Sequence, residues 1–277
     1  MNLFHELSQQ CSKATTRQYS TSFNSAIKLL HSDLRIPIFN IYGFVRFADE
    51  IVDTFHQYNK AELLIEFKKE TYAAINRGIS LNPILHSFQM TVNAYHISHE
   101  LIEAFFKSME MDLDQTAYTR TGYKEYIYGS AEAVGLMCLY IFCEGDKKMY
   151  EVLKPSARSL GAAFQKVNFL RDVKSDYEQL SRTYFPEVDF NNFTSSIKEQ
   201  IENDIANDFA DAYQGILQLP VKVRFGVYVA YKYYLSLFKR IRRTKPANIL
   251  AQRIRIPNYS KMLILAKAGL RSQLNLL

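Results

Sequence analysis

Apolar residues recur at the three- and four-residue spacing of an amphipathic helix along almost the whole chain, which constrains the fold more than any other feature. No stretch alternates apolar and polar residues for long enough to predict a strand. We therefore predict an all-α fold. No repeat, low-complexity tract or linker divides the chain, so residues 1–277 are predicted to form one domain. The helices are predicted at 22–31, 37–57, 60–77, 83–94, 97–113, 120–143, 147–180, 194–217, 220–243 and 258–272, with breakers between them that include Pro37.

The composition and the basic charge narrow the class of protein. Hydrophobic residues make up 48% of the chain and aromatic residues 14%, which excludes a disordered protein. The net charge is +6, with basic clusters in 239–245 and 253–261. These clusters are either an ordinary solvated surface or a surface that attracts diphosphates, anionic lipid headgroups or nucleic acid. No zinc-finger spacing or aromatic RNA-binding signature is present, so no nucleic-acid partner is expected.

The sequence also predicts no targeting signal and no membrane-spanning segment. The first 13 residues lack a cationic stretch followed by an apolar core, so no secretory signal is expected. The longest uncharged apolar run, Ala133–Cys143, is too short to span a bilayer. The three cysteines have no metal-ligand spacing and are interpreted as free thiols. We expect a cytoplasmic protein, and the basic C-terminal part is a candidate for peripheral contact with the inner membrane surface.

A first predicted helix carries acidic residues where apolar ones are expected. Asp49 and Asp53 lie four residues apart and share one helix face, which Arg46 and Tyr42 continue toward the N-terminus. The neighbouring positions are apolar, so this helix is predicted to be largely buried.

A second predicted helix repeats the arrangement. Asp172 and Asp176 are again four residues apart, and Asn168 and Gln165 precede them on the same face. Burying two like charges is unfavourable by several kcal/mol unless they are compensated. A divalent cation would compensate them, and oxygen ligands suit Mg²⁺, which readily bridges carboxylates to phosphate oxygens. The simpler alternative, ion-paired surface aspartates, explains one pair better than two.

The chain resembles the head-to-head trans-isoprenyl diphosphate synthases, which include phytoene, dehydrosqualene and squalene synthases. The matching elements follow one order over about residues 15–270. They are Ser20-Thr-Ser-Phe23, Tyr42–Asp53, Tyr126-Ile-Tyr128 with Ala131 and Val134–Met137, Gln165–Asp176, Arg182-Thr-Tyr-Phe-Pro186, Tyr234 and Arg253–Pro257.

This resemblance implies a role for each matching residue. The implied metal ligands, for Mg²⁺ or alternatively Mn²⁺, are Asp49, Asp53, Asn168, Asp172 and Asp176. The residues implied to contact diphosphate or nearby substrate are Ser20, Ser22, Tyr42, Arg46, Gln165 and Arg171. The residues implied to lie at or near the substrate cavity are Tyr128, Arg182, Tyr184 and Tyr234, with Tyr42, Tyr128 and Tyr234 assigned to its wall.

The chain departs from the family pattern at three places. Glu132 replaces a usual glycine and is expected either to form an internal salt bridge or to narrow the prenyl channel. Lys174-Ser175 makes the second acidic motif less negative, and Thr21 stands where some members carry lysine.

The resemblance implies condensation of two geranylgeranyl diphosphates into phytoene, through a cyclopropylcarbinyl diphosphate. Phytoene is favoured because the chain matches bacterial carotenoid-type members in length and shows no C-terminal membrane anchor. A squalene or dehydrosqualene synthase that uses farnesyl diphosphate is the enzymatic alternative, with NADPH required for squalene. A catalytically silent helical scaffold is the alternative from another class. No protein partner can be predicted.

Overall fold

The computed structural model describes residues 2–114, 117–180, 184–186, 188–189 and 192–273, except for the side chains of 175–180, 258, 272 and 273. Within these residues the chain is helical and contains no β-strand, so the prediction of an all-α fold is confirmed. In chain order the elements are α1 (Asn2–Tyr19), α2 (Thr21–Ile27), α3 (Ser32–Thr54), α4 (Lys60–Arg77), α5 (Pro83–Tyr95), α6 (His99–Asp114), α7 (Arg120–Ile127), a π-turn (Tyr128–Glu132), α8 (Ala133–Phe142), α9 (Lys147–Leu180), α10 (Ser195–Gln218), α11 (Val221–Arg243), α12 (Pro246–Ala251) and α13 (Asn258–Gln273).

Helix boundaries agree with the sequence where capping residues are strong. α4 begins after Asn59, whose side-chain oxygen accepts a hydrogen bond from the backbone N–H of Glu62 at 3.2 Å. It ends at Gly78, which adopts the left-handed conformation with φ 71°. Both ends of α4 therefore lie at the predicted residues, and the bounds of α9 agree with the prediction as well.

The prediction that Pro37 separates two helices is wrong, because Pro37 lies inside α3. A proline near the start of a helix removes one backbone donor, which here would reach the carbonyl group of Asp33. α3 continues for 23 residues and buries an apolar face, including Phe44, which is fully buried and stacks on Phe88 at 3.8 Å. Burial along this face outweighs the lost hydrogen bond.

Helix α1 was not predicted, because its buried face carries hydroxyl groups instead of apolar side chains. Ser8, Ser12 and Thr16 are fully buried, and α1 packs against α3 and α5. Ser12 Oγ lies 2.6 Å from Ser87 Oγ, and Thr16 Oγ1 donates to the backbone oxygen of Ser12 at 3.0 Å. The hydroxyl groups are thus satisfied, and their small size lets α1 approach Gly43, where an added Cβ would lie 2.7 Å from Ser12 Oγ. The short helix α12 was also not predicted.

The π-turn interrupts the helix predicted at 120–143. Its first carbonyl group, on Tyr128, accepts a hydrogen bond from the backbone N–H of Ala133. Close packing on both sides holds the turn. A Cβ added at Gly129 would lie 2.1 Å from the carbonyl oxygen of Ala104 on α6, and one added at Gly161 on α9 would lie 2.7 Å from that of Ala131.

Substituting Gly129 with alanine should therefore destabilise the protein by about 1–3 kcal/mol or more, because the conflicting atom belongs to backbone that cannot rotate away. The matched control is Gly269→Ala in α13. Nothing lies within 4 Å of a Cβ there, and helix propensity predicts a gain of about 0.5–1 kcal/mol. Urea unfolding of both variants measures the difference, and equal stability would contradict the close approach.

No helix among the described residues is both long enough and apolar enough to cross a membrane.

Candidate active site

A cavity of about 520 Å³ lies between α2, α3, α8, α9, α10 and α11. Polar side chains line one end, and most of the remaining wall is apolar. α8 runs away from the polar end, from the neighbourhood of Ser130 to Phe142, and α9 returns from Leu153 to Arg171. At a rise of 1.5 Å per residue, the wall between Ser130 and Phe142 is about 18 Å long. The cavity can therefore hold a long apolar molecule with a polar head.

A chain of hydrogen bonds crosses the polar end. Tyr234 Oη donates to Asn168 Oδ1 at 3.3 Å, and Asn168 Nδ2 donates to Gln165 Oε1 at 3.4 Å. Gln165 Nε2 in turn donates to Ser130 Oγ at 3.3 Å. The two amides that the sequence places ahead of Asp172 thus face the cavity, and Tyr234 joins them from α11.

Four aromatic rings stand between the polar end and the apolar wall. Phe164 stacks on Tyr234 at 3.9 Å, and Phe23 lies 5.8 Å from the rings of both Tyr42 and Tyr234. Burial raises the pKa of Tyr42 to about 12, although a hydrogen bond with Ser20 opposes this effect. Burial also raises the pKa of Tyr234. Both phenols are therefore neutral near pH 7, and the rings can stabilise a cation through their π faces.

The first predicted aspartate helix, α3, presents Arg46 and Asp49 to the cavity. Arg46 Nη1 lies 3.6 Å from Asp49 Oδ2, and Arg46 Nη2 donates to Glu50 Oε2 at 2.6 Å. Burial and the nearby charge of Asp53 raise the pKa of Asp49 to about 7, against the opposing effect of Arg46. This end of the cavity therefore contains closely spaced carboxylates of α3, whose negative charges are unfavourable without a compensating cation.

The second predicted aspartate helix, α9, holds Asp172 between two arginines that line the cavity. Arg171 Nε donates to Asp172 Oδ1 at 2.9 Å, and Arg253 Nε lies 2.8 Å from the same oxygen. Lys174 Nζ donates to the carbonyl oxygen of Ala251 at 3.1 Å. These contacts fasten the segment after α12 to α9 beside the polar end. The side chain of Asp176 lies outside the described residues.

Of four further predicted site residues, one lines the cavity, two do not, and one lies outside the described residues. Ser20 lines the cavity and caps α2 by accepting a hydrogen bond from the N–H of Phe23 at 3.2 Å, whereas Ser22 is half-buried on α2 and is not a lining residue. Tyr184 is buried outside the cavity. Arg182 lies outside the described residues.

Tyr128, which the sequence assigned to the cavity wall, contacts Arg158 in the structure. The guanidinium group of Arg158 lies 5.4 Å from the centre of the Tyr128 ring, and Tyr128 is not among the described lining residues. The π-turn shifts the phase of the helix between Tyr128 and the lining residue Gly135, which a regular helix would place on the same face.

The three departures from the family pattern make new contacts. Glu132 Oε2 accepts a hydrogen bond from Arg158 Nε at 2.6 Å, in an ion pair whose arginine is half exposed, and Glu132 does not line the cavity. Thr21 Oγ1 lies 3.2 Å from Lys261 Nζ. Together with Lys174, these residues attach surface elements to the walls of the site.

The sequence interpretation missed Asp112 on α6. This buried carboxylate accepts hydrogen bonds from the hydroxyl groups of Tyr126 at 2.8 Å, Tyr118 at 3.3 Å and Tyr184 at 3.4 Å. Its charge also contributes to the raised pKa of Asp49. The available signal was an aspartate between the apolar residues Met111 and Leu113, but Asp112 has no acidic partner four residues away.

No three His, Cys, Asp or Glu side chains converge into a ready-made metal site in the part of the chain that the structure describes. Mg²⁺ usually takes one or two carboxylates together with waters and substrate phosphates, so it does not require such a cluster. The raised pKa of Asp49, beside Asp53, fits a cation at this end of the cavity.

The fold and the site together define a class, an all-helical protein with a deep apolar cavity and an ionic end suited to a phosphorylated, elongated molecule. The family model described as squalene/phytoene synthase matches residues 16–260, and the chain therefore belongs to the squalene/phytoene synthase family, whose members are prenyltransferases.

Individual relatives agree with this family. The chain is 29% identical over 219 residues to the 4,4'-diapophytoene synthase of Staphylococcus haemolyticus, covering 75% of this chain and 72% of the relative. It is 24% identical over 292 residues to the phytoene synthase of Arthrospira platensis, covering 96% and 94%. A crystal structure of a dehydrosqualene synthase in complex with ligand has the same fold, with a TM-score of 0.80 and 19% identity over 97% of this chain and 98% of that chain.

Proposed function

We propose that this protein condenses two geranylgeranyl diphosphates head to head into phytoene and releases both diphosphates. Membership of the family supports head-to-head condensation of prenyl diphosphates as the class of reaction. The observation that carries the proposal is the junction of two aspartate-bearing helices, α3 and α9, with one long apolar cavity. The anionic head of a prenyl diphosphate fits the ionic end, and its hydrocarbon chain fits the apolar wall.

The first stage breaks the allylic C–O bond of one substrate, and the diphosphate leaves with the electron pair. The 2,3-double bond of the second substrate captures the allylic cation. Loss of a proton then gives a cyclopropylcarbinyl diphosphate. In the second stage the remaining diphosphate leaves, the cation rearranges to the 1-1′ linked skeleton, and a second proton loss gives the central double bond of the triene.

The described residues have distinct tasks in this scheme. Arg46, Arg171 and Arg253 place positive charge where the diphosphates would lie. The aromatic rings of Tyr42, Phe164 and Tyr234 exclude water from the cations and stabilise them. Asp49 and Asp53 on α3, with Asn168, Asp172 and Asp176 on α9, would hold Mg²⁺ or alternatively Mn²⁺. A bound Mg²⁺ supplies Lewis-acid stabilisation of the leaving diphosphate.

A squalene or dehydrosqualene synthase acting on farnesyl diphosphate is the second candidate. It is favoured by one observation, the higher identity to the 4,4'-diapophytoene synthase (29%) than to the phytoene synthase (24%). The apolar wall from Ser130 to Phe142, about 18 Å long, favours the longer substrate.

The test is incubation of the purified protein with Mg²⁺ and either geranylgeranyl or farnesyl diphosphate, with and without NADPH, followed by mass spectrometry of the products. We expect a C40 triene from the C20 substrate without NADPH, and no product when EDTA is present. A C30 product made in preference would establish the second candidate. Absence of diphosphate release from both substrates would overturn the enzyme and favour the silent scaffold.

A further inference from the structure

Helix α13 has two apolar faces that point in opposite directions. Ile264 and the buried Ala268 face the body of the protein, where α13 packs against α11. On the opposite side, large apolar side chains are exposed to solvent. They are Tyr259, Met262, Leu263 and Leu270, with exposures of 67%, 73%, 56% and 61%. At 100° per residue, these four positions fall within an arc of about 100°, so they form one continuous stripe along the helix.

Such a stripe differs from the isolated exposed apolar residues found elsewhere on the surface. Single residues of this kind are normal on soluble proteins, whereas a continuous patch marks a surface that contacts a partner. α13 has 16 residues, fewer than a membrane span needs, and carries Lys261, Lys267 and Arg271, so a contact in the plane of a surface is the fitting geometry.

The charge around α13 identifies the kind of partner. No Asp or Glu occurs after Asp211, and the 66 residues that follow carry 13 Lys and Arg. Since the net charge of the whole chain is +6, residues 1–211 carry −7. Lys267 is exposed at the edge of the stripe, and the exposed Arg255 shortly precedes the helix. An apolar stripe with basic flanks complements an anionic lipid surface, whose headgroups attract the charges and whose acyl boundary accepts the side chains.

Contacts with the body of the protein fix α13 beside the polar end of the cavity. Lys261 Nζ lies 3.2 Å from Thr21 Oγ1, next to the cavity-lining Ser20, and Arg271 Nη1 donates to Tyr228 Oη at 3.1 Å. The stripe is therefore presented outward by a helix that is held at both ends.

We propose that α13 docks this protein onto anionic lipid bilayers, with Tyr259, Met262, Leu263 and Leu270 entering the boundary between headgroups and acyl chains. A second copy of the chain fits this face less well. A two-fold symmetric contact would bring two strongly basic segments together, and their like charges would oppose it. The proposal assigns the membrane contact to α13, whereas the sequence suggested the basic segment alone. Docking does not depend on which substrate the cavity takes.

The chain contains no tryptophan, so a single introduced tryptophan reports on its own surroundings. Tyr259→Trp places the reporter in the stripe, and Leu81→Trp places it at a 91% exposed position far along the sequence. With vesicles containing phosphatidylglycerol, we expect a blue shift and protection from aqueous quenchers for Tyr259→Trp, and neither effect for Leu81→Trp. Vesicles of phosphatidylcholine alone should give a much weaker response.

A second pair of variants tests the energetic contribution of the stripe in vesicle sedimentation. Met262→Gln combined with Leu263→Gln should weaken partitioning onto anionic vesicles by about tenfold or more. The matched control, Ile65→Gln combined with Leu81→Gln, removes two comparably exposed apolar residues elsewhere and should leave partitioning unchanged. Circular dichroism verifies that each variant is folded.

Three results would overturn the proposal. The first is equal binding of the stripe variant and the wild type to anionic vesicles. The second is vesicle binding with no spectral change in Tyr259→Trp. The third is loss of self-association in the stripe variant, measured by analytical ultracentrifugation, without a loss of lipid binding, which would assign the face to a second copy. None of these measurements uses a prenyl substrate, so their failure is distinct from failure of the proposed reaction.

Discussion

Asp49→Asn should lower the rate of diphosphate release by roughly 10³-fold while the protein remains folded. Burial and the charge of Asp53 already raise the pKa of Asp49 to about 7, so the ionised carboxylate is unfavourable in the substrate-free protein. Asparagine removes that repulsion but is a weaker ligand for a divalent cation. Activity and stability should therefore separate, with turnover lost and the thermal midpoint unchanged or raised.

The matched control is Asp33→Asn at the start of the same helix. Its side chain is 73% exposed and lies 3.2 Å from His31, away from the cavity, so turnover should stay at the wild-type level. Thermal unfolding with Mg²⁺ and a non-ionisable prenyl thiodiphosphate adds a readout of binding. The midpoint should rise for wild type and Asp33→Asn, and much less for Asp49→Asn. Turnover by Asp49→Asn within a few-fold of wild type would remove this residue from the proposed metal ligands.

The second large effect concerns the length of substrate that the cavity accepts. Phe142 lies at the apolar end of α8, and Phe142→Ala should open that end. Hydrophobic pockets discriminate by about 10–200-fold per methylene-sized change. We expect the ratio of kcat/KM for geranylgeranyl over farnesyl diphosphate to rise at least tenfold. Ala157→Phe, which fills the cavity from α9, should lower the same ratio.

Met137→Ala provides the control for this pair of variants. Met137 lies on the same helix and is fully buried, but it does not line the cavity. Its truncation should lower the unfolding free energy by about 2–5 kcal/mol without changing the substrate ratio. If Phe142→Ala and Ala157→Phe also keep the wild-type ratio, the far end of the cavity does not set the chain length of the substrate.

Sequence periodicity predicted the helices that bury apolar faces. It failed for a helix whose buried face carries hydroxyl groups and for one that continues through a proline. α4 begins and ends as predicted because its apolar pattern and capping residues agree, and α9 begins as predicted after Asp146, whose side-chain oxygen accepts a hydrogen bond from the N–H of Met149. α1 was missed since its buried stripe consists of Ser8, Ser12 and Thr16, which apolar periodicity does not detect. Pro37 was overvalued as a breaker because its effect is local, whereas the packing of α3 extends over 23 residues.

The candidate site was predictable where charge patterns repeat. Two acidic pairs at helical spacing indicated α3 and α9, and the structure places Asp49 and Asn168 on the wall of the same cavity. The bidentate position of Arg253 against Asp172 depends on a contact 81 residues away in sequence, which spacing cannot reveal. Asp112 was missed for a similar reason, because its tyrosine partners come from separate segments.

The π-turn at Tyr128–Glu132 limits how this part of the molecule can be redesigned. Its hydrogen bonds span five residues instead of four, so a single helical wheel cannot describe α7 and α8 together. Tyr126 contacts Asp112 on one side of the turn, and Val134 and Cys138 line the cavity on the other. Deleting one residue here would restore a regular helix but rotate one half against the other. A graft or chimaera should therefore exchange 120–142 as one unit.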